Sequence, residues 1–284
     1  MVNHLIAYTG NDPELLSCAL FQARPALYWK DPTHPDGWGL GFVQGEEVLL
    51  QKRPRPGSEE VDFYALTRGL RADAVVGRVG LDEGPGGSAE NSDPFRFRSW
   101  LFAATGAVEG FDAIRDRMLQ NIPEFLRRNI RGRSSDEHVF HLFLAFLHDA
   151  GLLDVRAPEG KLVQHALHQS VNFMDKLLTT AGAGPVPRLA LVVTNGRSLV
   201  AETRGFPMQY LELTGVAHCS NPECPKRRGF GEQERRVTHA DVRAVVLEAD
   251  DRLEPRPGWS RVPLGHSLVV NLDRSVAVAA NKAG

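Results

Sequence analysis

The sequence is poor in cysteine and contains no long apolar run. Its 284 residues include 3 cysteines, too few for a disulfide framework, so the expected location is the reducing cytoplasm. No stretch approaches the roughly 18 uncharged apolar residues of a membrane span. The first residues lack the basic start and apolar run of a signal peptide. We therefore expect a cytoplasmic protein that does not enter a membrane.

An excess of one charge is also missing. The formal net charge is −2, with Lys and Arg spread along the chain, and this pattern does not favour general binding to nucleic acid. Apolar residues make up 42% of the sequence, which is enough for a core without covalent staples in a chain of this length. Because no linker, repeat or low-complexity tract interrupts it, we expect one domain over residues 1–284.

Hydrophobic periodicity predicts strands towards both ends of the chain and helices between them. Strands are predicted at 4–8, 38–42, 48–51, 74–79, 100–104, 189–194, 198–202, 244–247, 259–262 and 267–271. Helices are predicted from Asp12, over 112–128 with a break at Pro123, from Ser134 or Ser135 to about His148, and over 161–180. This order fits a layered α+β protein with its helices outside.

Four segments carry a family resemblance. The most distinctive reads His-Pro-Asp-Gly-Trp-Gly-Leu-Gly-Phe at 34–42. The others lie at the start of the chain, at 77–95 and at 100–106, and a further likeness follows at 132–140. In this order they resemble class II glutamine amidotransferases of the stand-alone kind, which belong to the Ntn-hydrolase superfamily. The resemblance implies an α+β fold, a four-layer αββα sandwich of two antiparallel sheets. The string at 34–42 serves either as a structural loop and strand or as a loop that faces a ligand.

The second residue departs from the family at its most important position. The family opens with Met-Cys, and after removal of the methionine the cysteine attacks the side-chain amide of glutamine, with its own α-amine as base. This chain opens with Met1-Val2. Because an isopropyl group cannot attack a carbonyl, the resemblance implies a chain that is inactive as a glutaminase.

The other implied roles match unevenly. Thr105 and Gly106 stand where the family has the Asn-Gly pair that donates to the oxyanion. Arg78 matches the arginine that clamps the substrate carboxylate, although it could equally form a structural ion pair. Ser135 replaces the aspartate that binds the substrate amine, and Asp136 lies one step away.

By resemblance, these positions and their neighbours line one ligand pocket. Its expected members are Val2, Asp36, Gly37, Trp38, Arg78, Asn91, Thr105, Gly106, Ser135 and Asp136.

Two main functions fit these observations. The first is a catalytically inactive pseudoenzyme that binds a small amide or amino acid, or serves as the partner or regulatory subunit of another protein or of a second copy. The second is an amide hydrolase with another nucleophile or substrate, for which Thr9, Ser92, Thr105 and Ser135 qualify by type. A glutaminase whose native cysteine was replaced by Val2 is a third interpretation. None of them requires a cofactor, nucleic acid or a membrane.

A metal site is not expected, but one alternative exists. Cys219 and Cys224 are separated by four residues, which is within the loose range for pairs of zinc ligands, and His218 precedes them. A structural zinc site usually needs four ligands, and His239 is the only further candidate nearby. A zinc site built on Cys219, Cys224 and His218 therefore stays a secondary interpretation.

Overall fold

The computed structural model describes residues 4–30, 36–58, 60–80, 88–227 and 237–281. The expected nucleophile position, Val2, lies outside these residues, as does most of the Gly-rich loop at 84–88. The described strands are β1 (His4–Gly10), β2 (Tyr28–Lys30), β3 (Asp36–Gln44), β4 (Glu47–Ser58), β5 (Glu60–Asp62), β6 (Ala74–Val79), β7 (Phe95–Phe97), β8 (Trp100–Ala107), β9 (Arg188–Thr194), β10 (Leu199–Arg204), β11 (Met208–Val216), β12 (His239–Asp250), β13 (Trp259–Val262), β14 (His266–Val270) and β15 (Val276–Ala280). The described helices are α1 (Leu16–Gln22), α2 (Phe63–Thr67), α3 (Phe111–Gln120), α4 (Glu124–Arg127), α5 (Ser135–Asp149) and α6 (Gly160–Ala181).

Two antiparallel sheets organise these elements. The first has seven strands in the order β13-β11-β12-β1-β6-β3-β4, and the second has six in the order β15-β14-β10-β9-β8-β7. Strands β2 and β5 form a separate pair. The N-terminal strand β1 is central, because it pairs with β12 on one side and β6 on the other. The protein is thus a mixed α/β structure with antiparallel sheets.

Alternation along the strands separates the hydrophobic cores. On β1, Leu5 and Ala7 belong to a core that also holds Leu101 and Ala103 from the second sheet. The intervening Ile6 belongs to a second core, which includes side chains of α1 and α2. This division follows from the period of two in a strand, which sends successive side chains to opposite faces.

The second sheet shows the same alternation. Trp100 and Phe102 point away from the first sheet, into a core with the buried faces of α3, α5 and α6. Phe102 stacks on Phe140 of α5 with ring centroids 5.2 Å apart. Burial of large aromatic side chains is a main source of stability in such a layer.

The predicted helix boundaries are confirmed where they depend on capping residues. The Asp12 carboxylate accepts a hydrogen bond from the Glu14 amide at 3.0 Å and starts a short 3-10 turn that leads into α1. Ser134 is the N-cap of α5 and accepts from the Glu137 amide at 3.3 Å. Pro123 separates α3 from α4 as expected, because a proline cannot donate to the preceding turn.

Other elements differ from the prediction. The sequence pattern did not predict strands β2, β5, β7, β11 and β15 or helix α2. The loop that joins β9 to β10 has four residues, whereas the predicted strands 189–194 and 198–202 leave three. In that loop the Asn195 side chain accepts hydrogen bonds from the amides of Arg197 and Ser198, both at 3.1 Å. The side-chain oxygen of Asn195 thus accepts the hydrogen bonds that a backbone carbonyl would accept in a shorter turn. Among the described residues, no helix combines the length and apolar character needed to cross a bilayer.

Candidate functional site

Arg78 lies on β6, the inner strand of the first sheet that is paired with β1 and β3. Its cross-strand partners are Leu5 on β1 and Gly39 on β3. The guanidinium Nε is 3.8 Å from Oδ2 of Asp93, and the two side chains are 11% and 2% exposed. The arginine that the sequence places in a ligand pocket therefore faces an internal carboxyl group.

Asp93 is fixed from several directions. Its Oδ1 accepts a hydrogen bond from the Ala104 amide on β8 at 3.0 Å, so the side chain connects the two sheets. Gly39 packs directly against it: a Cβ built on Gly39 would meet the Asp93 carbonyl oxygen at 1.9 Å. Gly39 is therefore needed at this position, because any larger residue would prevent the close approach of the segment that carries Asp93.

A second carboxyl group reaches the same place from the start of α5. The Asp136 carboxyl group lies close enough to that of Asp93 for its charge to act on it. Burial raises the pKa of Asp93 well above its usual value, and the nearby charge of Asp136 raises it further, while Arg78 and the Ala104 amide lower it. With Asp93 protonated, the charges of Arg78 and Asp136 balance, and the three residues are close to electrically neutral as a group.

The first turn of α5 is held by its own polar side chains. The Ser135 hydroxyl donates to the Asp136 carboxylate at 3.1 Å. Glu137 is buried and accepts hydrogen bonds from the amides of Arg131 and Gly132 at 2.9 and 2.6 Å. The preceding loop is therefore fixed to the helix, which places Ser135 and Asp136 beside Asp93.

Asn91 has a related positioning contact. Its side-chain oxygen accepts from the Arg133 amide at 2.6 Å, and a Cβ on Gly132 would meet the same oxygen at 2.3 Å. Asn91 thus joins the segment before Asp93 to the loop before α5.

Thr105 and Gly106, the positions expected at an oxyanion, lie on β8. Thr105 is 0% exposed, and its hydroxyl has no hydrogen-bond partner among the residues that the structure describes. Gly106 has a φ of +113°, and a Cβ there would meet the Arg188 carbonyl oxygen at 2.0 Å, so only glycine fits. Gly106 lines a cavity of about 320 Å³ together with Arg188 and Phe206, and that lining does not include Arg78 or Asp136.

The remaining expected pocket residues lie at the start of β3. Trp38 pairs with Val79 on β6 and is largely buried. The Gly37 carbonyl oxygen accepts from the Gly80 amide at 3.2 Å, and the Asp36 backbone pairs with Ser58. The structure therefore brings Arg78, Ser135 and Asp136 around Asp93, while the position of Val2 is outside the described residues.

Sequence reasoning missed Asp93 as a member of this site. The available signal was the segment 77–95, which carries the family resemblance and places an acid, Asp93, after Arg78.

Four possible metal ligands meet elsewhere in the molecule. Cys219 and Cys224 lie beside Cys18 and His239, and all four residues are buried. His218, the third ligand of the alternative drawn from the sequence, is exposed and is not part of this group. Cys18 is the member that spacing could not reveal.

Comparisons with known proteins give distant relatives. No protein-family model matches the chain. The chain is 24% identical over 157 residues to the probable glutamine amidotransferase DUG3 of Saccharomyces cerevisiae, a match that covers 53% of this chain and 44% of that protein. It is 24% identical over 220 residues to the gamma-glutamyl-hercynylcysteine sulfoxide hydrolase of Mycobacterium tuberculosis, covering 76% of this chain and 80% of that one.

The fold has a close counterpart of full length. A glutamine aminotransferase class-II domain protein from Silicibacter pomeroyi superposes with a TM-score of 0.61 at 17% sequence identity, over 99% of this chain and 100% of that one. The relatives and this structural neighbour are class II glutamine amidotransferase-like proteins, so the chain shares their fold. The chain spans less than half the length of the yeast relative.

Proposed function

We propose that this chain is a catalytically inactive protein of the class II glutamine amidotransferase-like type, which binds a small ligand or a partner with the site around Asp93. Its proposed form is the four-layer αββα sandwich, as one domain, in the cytoplasm. Support for the fold comes from the two antiparallel sheets and from the superposition with a class-II domain protein. Support for inactivity comes from the side chains at the site.

The observation that carries the proposal is the contact between Arg78 and Asp93. An arginine that clamps the carboxylate of a free amino acid needs its charge directed at the ligand. Here a buried carboxyl oxygen of Asp93 lies 3.8 Å from the guanidinium, and the negative charge of the neighbouring Asp136, which also acts on Asp93, opposes a second carboxylate at the same place. Tight binding of glutamine in the orientation needed for hydrolysis is therefore disfavoured.

Val2 and Thr105 also support the absence of glutaminase activity. Val2 offers only hydrocarbon where the chemistry needs a thiol. Thr105, which is buried, replaces the expected amide donor with a hydroxyl on a shorter side chain, and removal of one oxyanion donor typically costs about 10²–10³-fold in kcat. The nucleophile and one oxyanion donor are thus replaced together.

The remaining polar groups suggest the ligand class. Ser135 and Asp136 offer a hydroxyl and a half-buried carboxyl group at the first turn of α5. These groups suit an amine or an amide N–H, since carboxylates accept charge-assisted hydrogen bonds from such donors. A small amide or an amino-acid amide, without a free carboxylate, therefore fits better than glutamine.

An amide hydrolase with another nucleophile is the second candidate. It is supported by the likeness to the mycobacterial hydrolase, of which the chain spans 80%. Of the four hydroxyl groups that qualify by type, that of Ser135 donates a hydrogen bond to the Asp136 carboxylate, which could take its proton. Thr9 and Ser92 instead donate to backbone carbonyl oxygens.

The test measures turnover and binding on the same preparation. We expect no ammonia or glutamate release from glutamine or from γ-glutamyl amides, and we expect an amino-acid amide to raise the Tm. Asp136→Asn should abolish that rise, while Asp149→Asn, an exposed control at the other end of α5, should preserve it. Turnover that Ser135→Ala abolishes would favour the hydrolase, and turnover that depends on Arg78 would contradict inactivity as a glutaminase.

A further inference from the structure

Three cysteines and one histidine meet in the core on the outer side of the first sheet. Cys18 lies on α1, Cys219 and Cys224 lie in the connection after β11, and His239 is the first residue of β12. Their side chains are 0%, 0%, 1% and 2% exposed, in that order. One ligand atom from each residue lies within 4.8 Å of all the others, and the three cysteines are free thiols.

Four ligand atoms that all lie within 4.8 Å of one another are close enough to bind one zinc ion. With Zn–S bonds of about 2.3 Å and Zn–N bonds of about 2.0–2.1 Å, a tetrahedral site has S···S edges of about 3.8 Å and S···N edges of about 3.6 Å. The Cys224 Sγ and His239 Nε2 atoms are 3.5 Å apart. The four residues are therefore already arranged as the ligands of a single ion, with little movement required.

We propose that Cys18, Cys219, Cys224 and His239 bind one structural Zn²⁺ ion. Thiolate and imidazole ligands in a tetrahedral set select zinc over hard cations such as Mg²⁺ or Ca²⁺. All four positions of the tetrahedron are filled by protein, which is typical of a structural site, whereas a catalytic site leaves one position for water or substrate. Formation of the three Zn–S bonds releases the three thiol protons to solvent.

Asn221 supports the ligands from a second layer. Its side-chain amide donates to Sγ of Cys18 at 3.5 Å. The Tyr64 hydroxyl in turn donates to the Asn221 side-chain oxygen at 2.9 Å. Hydrogen bonds to ligating sulfur orient the ligands and offset their negative charge, as is usual around metal sites.

Cations beside the cluster fit the charge of a loaded site. Three thiolates and one Zn²⁺ carry a net charge of −1. The Arg227 guanidinium donates to the Cys219 carbonyl oxygen at 2.6 Å, and Lys226 is close enough to act on the charge of His239. A buried anion without such neighbours would be costly.

The position of the cluster indicates what the ion would do. Cys219 and Cys224 belong to the connection between β11 and β12, while Cys18 belongs to α1, near the other end of the chain. An ion bound to all four residues joins this connection to α1 and to the first sheet, which contains the N-terminal strand β1. Such a bond closes a long loop and stabilises the folded state.

The competing interpretation is that the cysteines are small apolar residues of an ordinary core. Elemental analysis of the full chain, purified with zinc in the medium and without chelator, separates the two. We expect about one zinc ion per chain, and a Co²⁺-substituted sample should show thiolate charge-transfer and tetrahedral ligand-field absorption. A chain that folds without zinc, takes up none on addition, and keeps the same Tm with a strong chelator would overturn the proposal.

Two histidine variants provide a matched comparison. His239→Ala should lower the zinc content to well below one ion per chain and remove the Tm shift caused by chelator. His218→Ala changes the exposed neighbour of Cys219 and should keep the full zinc content. If His239→Ala does not fold, competition with a coloured chelator on the unaltered chain still decides the matter, because release of no zinc on unfolding would contradict the site. Equal zinc content in both variants would also contradict it.

Discussion

The Nε atom of Arg78 lies 3.8 Å from Oδ2 of Asp93, inside the molecule. Asp136 at the start of α5 lies near Asp93 and raises the pKa of its carboxyl group. One cation and two acids are therefore packed together at the start of α5, where the family resemblance implies a ligand pocket. Burial is the main reason for the raised pKa of Asp93, so its proton is a sensitive probe of this site.

The first prediction concerns Asp93→Asn, which imitates the neutral form of the carboxyl group. In the unfolded chain the Asp93 pKa is about 3.9, while burial raises it in the folded protein. Between these two values the folded state holds more protons than the unfolded state, so the stability of the unaltered chain falls as pH rises. Asp93→Asn should lack this fall, and its stability relative to the unaltered chain should increase from about pH 4 upwards.

Denaturant unfolding of both proteins at several pH values measures this difference. The gain is about 1.4 kcal/mol for each unit by which the pKa is raised. Asp149→Asn, an exposed position on α5, should show a difference from the unaltered chain that does not vary with pH. A constant difference for Asp93→Asn as well would mean that Asp93 is not the group described.

Asp136→Asn tests the coupling between the two acids. Loss of the Asp136 charge removes one of the influences that raise the pKa of Asp93. The Asp93 carboxyl carbon should therefore titrate at lower pH in the variant, as followed by NMR. An unchanged midpoint would show that the two groups do not interact.

Gly39→Ala tests the close packing beneath the site. A Cβ at this position would meet the Asp93 carbonyl oxygen at 1.9 Å, and such overpacking typically costs about 1–3 kcal/mol. Gly69→Ala is the control, because no atom lies within 4 Å of a Cβ there. We expect Gly39→Ala to lower the Tm and Gly69→Ala to leave it unchanged or slightly raised. Equal effects would contradict the packing of Gly39 on Asp93.

His141 on α5 gives a prediction for how stability changes at acidic pH. Burial lowers its pKa to about 4, against about 6.5 in the unfolded chain. Between these values the unfolded state binds the extra proton, so stability falls as pH decreases from 6.5 to 4, by at most about 3 kcal/mol. His141→Phe should flatten this part of the curve, whereas His165→Gln at an exposed position on α6 should not. Parallel curves for all three proteins would disprove the assignment.

Most of the strands and helices could be predicted from the sequence because their residues alternate or recur with a clear period. Helices α5 and α6 have long buried faces and defined starts. Strand β15 was not predicted, because it is an edge strand whose residues are mostly exposed. Its sequence therefore lacks the alternation of apolar and polar residues that marks a strand with one buried face. In β11, half-exposed leucines and interleaved polar residues weaken the same contrast.

The sites were harder to predict than the elements. The roles of Arg78 and Asp136 could be suggested by resemblance, but Asp93 became visible only through its contacts with both. The cysteine cluster joins α1 to the start of β12, and spacing along the chain cannot reveal such a contact. Only tertiary structure brings Cys18 to Cys219 and Cys224.

The most direct test of the central claim is ammonia release from glutamine by the Val2→Cys variant, with removal of Met1 checked by mass spectrometry. We predict that the variant stays at the background of the unaltered chain, because Thr105 is buried and Asp93 faces Arg78. Replacing the nucleophile alone does not supply the missing oxyanion donor or a free carboxylate clamp. Sustained turnover by Val2→Cys at about 1–10³ s⁻¹, the usual range of kcat, would contradict the claim that the site lacks more than the nucleophile needed to hydrolyse glutamine.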